Sequence, residues 1–451
     1  MSGLSSSELS ANHNSTAQLQ DIVKRNRGSQ GVGTYAVCSA HPWVLDAALQ
    51  QALADTTILH VESTSSQVNQ EGGYTGQTPR AFAEALHARA RAAGFPTERI
   101  LLGGDHLGPF PWRSKTSGEA LGKAAELVRD CVLAGYTKIH LDTSMPCADD
   151  APVVVEETVA ARASVLCEAA ESAYREMPSG TARPVYVVGT EVPAPGGETL
   201  AGEPPAVTTV GHIHQTLKTF ESAFAARGLE SAWERVIGLV VQPGVEFGSD
   251  VVFDYERSKT RAMKAALPEK PLLVYEAHST DYQSAESLGQ LVEDHFAILK
   301  VGPGLTFAFR EAIFALTAIE REIVGASKEA QLSRVREELD KAMLRNPVYW
   351  CSYYSADAGE QELKLLRAFS YSDRCRYYWP EPAVEQEVDK LMSNLNRQAI
   401  SMTLISQYLP MEYDAIRAGR LRPLAQPMVD HHIRTVLRIY AQACGVCTVV
   451  G

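Results

Sequence analysis

The sequence predicts an α/β fold: a (β/α)8 TIM barrel over residues 25–325, followed by a helical extension over residues 326–451. Three observations carry this. Short β-branched runs alternate with longer stretches whose apolar residues recur at helical spacing, as in a parallel sheet joined by crossover helices. Nearly every run ends in a polar residue, which a barrel explains because all its strand C-termini open on one face. After residue 325 the alternation stops. An open doubly wound sheet usually needs fewer strands and gives no reason for the polar ends.

In chain order the strand runs are GTYAVCS (33–39), TILHVES (57–63), RILLGGDH (99–106), TKIHLDTS (137–144), PVYVVGTE (184–191), RVIGLVVQ (235–242), PLLVYEAH (271–278) and FAILKVG (296–302). Helix patterns such as PRAFAEALHARARAA (79–93) lie between them. The extension begins with a charged helix pattern over 327–345, continues through an aromatic-rich stretch from Asn346 to Pro380, and ends in helix patterns over 384–402 and 430–443. The aromatics predict packing between extension and barrel or between subunits.

Composition narrows the function. The 42 basic and 54 acidic residues give a net charge of −12, which argues against a surface that neutralises nucleic-acid phosphates or anionic lipid. No stretch approaches the roughly 18 apolar residues of a membrane helix. The polar first 24 residues carry no signal-peptide pattern and predict a disordered tail. The expectation is a cytoplasmic protein. Eight cysteines are scattered, and the one CxxC, Cys444–Cys447, has no second pair to make a zinc ribbon.

The polar strand ends are the informative feature. A Ser or Asp alone would be read as a helix cap, but imidazoles and carboxylates after several strands predict a chemical site at one mouth. Asp105 and His106, flanked by glycines, pair a proton-transfer group with a metal ligand. Glu191 is a second acid/base candidate, on a Pro/Gly-rich loop. Glu276 and His278, at i and i+2, face the same side of their strand. With His106, and with Gln242 or Glu191, they predict a mixed N/O site for Zn2+, Mn2+ or a similar divalent ion, which would polarise a carbonyl and stabilise an enediolate. Gly302, Gly304 and Thr306, opening the helix after the last strand, predict a phosphate cradle. Ser279 and Thr280 would add hydroxyls, and Asp142 a further substrate contact. No G-x-x-x-x-G-K-S/T motif occurs, so nothing supports a kinase or a nucleotide cofactor.

Taken in order, ESTSSQVNQEGGYTG (62–76), GGDHLGP (103–109), HLDTSM (140–145), GTEVPAPGG (189–197), VYEAHSTDYQ (274–283), KVGPGLTFAFREA (300–312) and the NPVYW and DRCRYYW stretches resemble the GatZ/KbaZ family, the accessory Z subunit of class II D-tagatose-1,6-bisphosphate aldolase. The resemblance spans residues 25–425. It implies a TIM barrel, a role in tagatose, galactitol or amino-sugar catabolism, a sugar or sugar-phosphate ligand, and a catalytic aldolase subunit as partner, with self-association also open. Some members carry a tagatose-6-phosphate kinase label, which the missing phosphate loop does not support. Distant similarity to the catalytic class II aldolases implies that Asp105 transfers the proton, that His106 is the first metal ligand, and that phosphate binds at Ser279 and Gly302–Thr306. Where those aldolases present two further histidines, after strands six and seven, this chain has Gln242 and Glu276. That departure fits an accessory subunit. The retained carboxylates motivate the alternative, a metal-dependent epimerase of ketohexoses or their phosphates that works through an enediolate or retro-aldol intermediate.

Overall fold

The structure, a computed structural model, describes residues 6–190, 204–267, 270–325, 332–355, 357–396 and 399–446, with side chains from residue 14 onward. Its strands are β1 (Thr34–Val37), β2 (Leu59–Thr64), β3 (Ile100–Leu107), β4 (Lys138–Leu141), β5 (Val185–Gly189), β6 (Val236–Val240), β7 (Glu246–Phe247), β8 (Val252–Phe253), β9 (Val274–Ala277) and β10 (Phe296–Val301). Eight of them close into a barrel in the order β1-β10-β9-β6-β5-β4-β3-β2, and every neighbouring pair is parallel. These are the eight predicted runs. Strands β7 and β8 form an antiparallel ribbon in the connection after β6. At two residues each they are too short to show an alternation in the sequence.

Parallel neighbours need crossover helices, and the chain marks where several of these begin. Thr78, Thr116, Thr209 and Ser284 each accept a backbone N–H from three residues ahead and so cap helices Pro79–Ala92, Ser117–Leu133, Val210–Ala225 and Ala285–Glu293. Their buried faces pack on the barrel. In Ser117–Leu133 that face is Ala120, Ala124, Leu127, Val128 and Cys131, the 3–4 spacing of an amphipathic helix.

Residues 6–24 depart from the expected disordered tail. Ser6–Arg27 is a helix. Its Leu19 and Val23 are fully buried against Ile58, Leu101, Val185, Ile237, Val274 and Ile298, which close the barrel floor. Thr16 Oγ1 donates to Thr137 Oγ1 at 2.8 Å, and Asn26 Nδ2 donates to the carbonyls of Val32 and Val292. Leu19, Ile22 and Val23 make too short an apolar stripe in a largely polar segment to mark a helix in the sequence; burial against the barrel supplies what propensity does not.

The extension shares the barrel's core. Its terminal helix, Ala425–Ala443, packs on Pro42–Ala54, Ala285–Glu293 and Pro303–Val324. Trp350, Tyr378, Leu391 and Leu437 belong to the same hydrophobic cluster as the barrel helices. The aromatic stretch packs toward the mouth: Tyr377 stacks on Tyr349 (4.5 Å between centroids) and meets Tyr74 of the loop after β2 edge-on (4.6 Å), and Trp379 meets Phe309. Among the described residues no helix is long and apolar enough to cross a membrane.

Candidate active site at the barrel mouth

The site begins with a flaw in β3. Its pairing with β4 shifts register between Gly104 and Leu107, and His106 takes a left-handed backbone (φ 49°). Ser279, after β9, does the same (φ 53°). Such conformations are costly for non-glycine residues and concentrate at functional sites. The irregularity lets neighbours Asp105 and His106 both reach the mouth, against the alternation of a regular strand. The glycines serve close approach: a Cβ on Gly103 would stand 2.9 Å from the Glu62 side chain, and one on Gly108 would strike the Asp142 carbonyl at 1.6 Å.

Beneath the mouth lies a buried ionic network. Lys138 Nζ sits 2.6 Å from Glu62 Oε1 and 2.7 Å from Glu276 Oε2. Lys300 Nζ contacts Glu62, stands 2.8 Å from Asp105 Oδ1 and 3.4 Å from Glu276 Oε1. His60 Nε2 lies 2.6 Å from Glu62 Oε1. All are nearly or fully buried. Burial alone would raise the carboxyls of Glu62 and Glu276, but Lys138 and Lys300 hold both well below the usual carboxylate range. Burial would likewise raise Asp105, yet His106, Lys300 and His140 hold it far down. Buried ion pairs add little stability over a well-packed apolar core, so this network points to function.

Three imidazoles stand above it. The rings of His106, His140 and His278 lie 5.0–5.3 Å apart and are mutually edge-on. His106 Nδ1 is 2.9 Å from Asp142 Oδ2, leaving Nε2 turned toward Asp105 at 3.7 Å. Burial alone would lower His106; Asp105 and Asp142 override it and raise its pKa. His140 Nδ1 lies 2.9 Å from Asp105 Oδ1, while its buried Nε2 has no hydrogen-bond partner. His278 Nε2 is 3.0 Å from Glu276 Oε1, and burial outweighs that contact to lower its pKa to about 4, so it is a neutral ligand-type imidazole at physiological pH.

These residues suit a divalent cation. Donor atoms of Asp105, His140, Glu276 and His278 all lie within 4.8 Å of one another, with His106 beside them. The orphaned His140 Nε2 is what a ligand would satisfy, and the mixed N/O set suits Zn2+ or Mn2+. The Asp142 carboxylate 2.9 Å from His106 Nδ1 fixes the orientation of that imidazole beside the set. Lys138 and Lys300 are the two buried ammoniums that face the carboxylates of Glu62, Asp105 and Glu276.

The structure redistributes the other expected site residues. Gln242 is no mouth ligand: its Oε1 accepts from the Gly244 amide in its own loop. Glu191 lies outside the described residues, as does Cys447. Asp142 orients His106 through Oδ2 while Ser144 occupies Oδ1, so it acts behind the mouth. Thr280 spends its hydroxyl on the Lys300 carbonyl, and Thr306 donates to Asp373 Oδ2. The Gly302 and Gly304 amides both donate to Asp281 Oδ1, at 2.9 and 2.7 Å. Of the phosphate candidates, Ser279 and Gly302 line the mouth cavity.

That cavity is walled by Asp105, His106, His278 and Lys300 below, with Cys38, Gln67 and Tyr74 at the side and Arg376 and Tyr377 of the extension above. Glu62 was expected at the mouth as one of the polar strand ends; Lys138, His140, Tyr74 and Arg376 were not. A signal for some of them exists in the sequence. His60/Glu62 and Lys138/His140/Asp142 sit at i, i+2 spacing inside strands otherwise apolar, which turns each set to one face. Arg376 lies in the DRCRYYW stretch, but nothing in the sequence places that stretch over the mouth.

A solved structure from Sinorhizobium meliloti 1021, described as a probable tagatose 6 phosphate kinase, matches with a TM-score of 0.83 and 42% identity, covering 91% of this chain and 100% of that one. A fructose-bisphosphate aldolase from Campylobacter jejuni aligns at 13% identity over 85% of this chain and 92% of its own, with a TM-score of 0.42. The YdjI aldolase from Escherichia coli K12 aligns at 10% identity over 84% and 98%, with a TM-score of 0.39. Neither of these two is similar enough to inform mechanism. The family model for D-tagatose-1,6-bisphosphate aldolase subunit GatZ/KbaZ-like proteins matches residues 19–445. From floor helix to terminal helix, then, the chain belongs to the GatZ/KbaZ-like family of D-tagatose-1,6-bisphosphate aldolase subunits.

Proposed function

We propose that this protein is a tagatose-bisphosphate aldolase-related component that handles ketohexose phosphates, acting as the Z-type partner of a catalytic class II aldolase subunit in tagatose, galactitol or amino-sugar catabolism in the cytoplasm. The family match over residues 19–445 supports the partner role. One observation carries a second reading, that the barrel is itself a metal-dependent ketohexose or ketohexose-phosphate epimerase: the orphaned His140 Nε2 among three imidazoles and ionised carboxylates. A relic would not be expected to keep so costly a cluster buried.

The chain's own groups supply most of that chemistry. Asp105, at the cavity wall, accepts a proton from a carbon next to the sugar carbonyl or from a hydroxyl, and returns it. The Lys300 ammonium, fixed among carboxylates, stabilises charge that develops on the carbonyl oxygen. His106, held by Asp142, orients the reacting oxygens. A divalent ion bound by His140, His278 and Glu276 would add Lewis-acid polarisation of the carbonyl. No phosphate loop in the sequence supports the phosphotransfer named for the S. meliloti protein. The double variant Asp105→Ala/Glu276→Ala separates the readings. A partner that acts through its surface still raises the activity of the aldolase subunit, whereas an epimerase loses turnover and bound metal together. Failure of the wild type both to support an aldolase and to bind any ketohexose phosphate would overturn the proposal.

A further inference from the structure

We propose that Arg376, carried by the helical extension, anchors the terminal anionic group of the sugar, in place of the backbone cradle after β10. The cradle is already filled. Asp281 Oδ1 accepts from both Gly302 N and Gly304 N, and its side chain is packed so closely that a Cβ on Gly304 would come 3.0 Å from that oxygen. Asp281 is 3% exposed, so a phosphate reaching those amides would have to expel a buried carboxylate or share its donors with a like charge.

Arg376 presents the opposite case. It is 9% exposed, and no carboxylate among the described residues lies within ion-pair distance of it. Nη1 donates to the carbonyls of Ser372 and Asp373 and Nη2 to Tyr377 Oη, leaving further N–H groups of the fork for a ligand. Asp373 and Asp281 act on it only from beyond ion-pair distance, so a bound anion would offset more of the cost of burying the guanidinium, and its planar fork matches phosphate or carboxylate oxygens. Its position suits that ligand. Arg376 lines the cavity over Asp105 and His278 and also an adjoining one, where His41 Nδ1 is buried without a partner. It thus stands on their shared wall. A sugar with its carbonyl at Lys300 would extend its charged end toward Arg376.

This inference rests on the sugar-phosphate reading above but is tested apart from it. Calorimetry on the full chain would compare a ketohexose 6-phosphate, a hexuronate, the neutral ketohexose and inorganic phosphate, using wild type, Arg376→Gln, Arg376→Lys and Asp281→Asn. The wild type should prefer one anionic sugar over the neutral one by at least about tenfold, and which anion it prefers distinguishes phosphate from carboxylate. Arg376→Gln should erase that preference while neutral-sugar binding stays within about threefold, Arg376→Lys should keep part of it, and Asp281→Asn should keep it. An Arg376→Gln protein that retains the preference overturns the proposal. So does a wild-type crystal soaked with the sugar phosphate that shows phosphate on the Gly302 and Gly304 amides with Asp281 displaced, a readout that needs no variant to fold. If no sugar binds but inorganic phosphate binds in an Arg376-dependent way, the anchor stands and the functional reading fails.

Discussion

The two ends of the barrel are built from opposite materials. The floor is apolar, with Leu19 and Val23 of the N-terminal helix sealing Ile58, Leu101, Val185, Ile237, Val274 and Ile298. Further along the barrel, Glu62, Asp105, Lys138, His140, Glu276 and Lys300 are buried as deeply but charged or titratable. A few residues along β3, β9 and β10 separate the two regimes. Burial at the floor is stability. At the mouth it is a cost the fold bears for a chemical environment, in keeping with the division of labour between the faces of such barrels.

The largest effect should come from breaking the network one-sidedly. Lys138→Met leaves Glu62 and Glu276 with Lys300 as their remaining shared ammonium and one buried negative charge less well compensated, and should cost about 3–5 kcal/mol in urea unfolding. Adding Glu62→Gln to Lys138→Met should recover a large part of that loss; a double variant no more stable than the single would mean that the ion pairs themselves hold the fold. At the floor, Leu19→Ala should cost about 2–4 kcal/mol by the same assay while sugar and metal affinities stay unchanged. If ligand affinity falls with it, the two ends are coupled and the division fails.

A smaller effect concerns the extension. Burial alone would lower His432, but the Glu311 and Glu412 carboxylates raise it to about 9; burial would raise Glu412, but His431 and His432 hold it at about 2. His432 therefore contributes stability that is complete below about pH 6.5 and lost as pH rises toward 9, and Glu412 contributes stability present above about pH 4.3 and lost as pH falls toward 2. Thermal melts should show an alkaline decline on the order of 1–3 kcal/mol that His432→Gln removes. The smallest change should follow Lys115→Ala, whose exposed pair with Glu119 should contribute under about 1 kcal/mol.

Much of the barrel was legible because its strands are β-branched and its crossovers amphipathic, and the mouth was legible where polar residues close the strands: Asp105, His106, Glu276, His278 and Ser279 sit at or beside it. His140 and Lys138 were hidden because a polar residue within an apolar run reads as an interruption until its i, i+2 partners are seen to share the barrel's inner face. The Gly302 and Gly304 amides had the look of an anion cradle, but only a three-dimensional contact reveals that Asp281 fills it. Arg376 was beyond reach for the same reason: no spacing tells that a stretch some 75 residues after β10 folds back over the mouth. The floor helix carried too few apolar residues to outweigh its polar composition.

Central to this account is that the buried mouth is a working cation and sugar site. Calorimetric titration of Mn2+ or Zn2+ into metal-stripped wild type and His140→Ala tests it most directly. One ion per chain should bind to the wild type, with affinity at least about tenfold weaker in the variant. No binding to the wild type, or equal binding to both proteins, would contradict it.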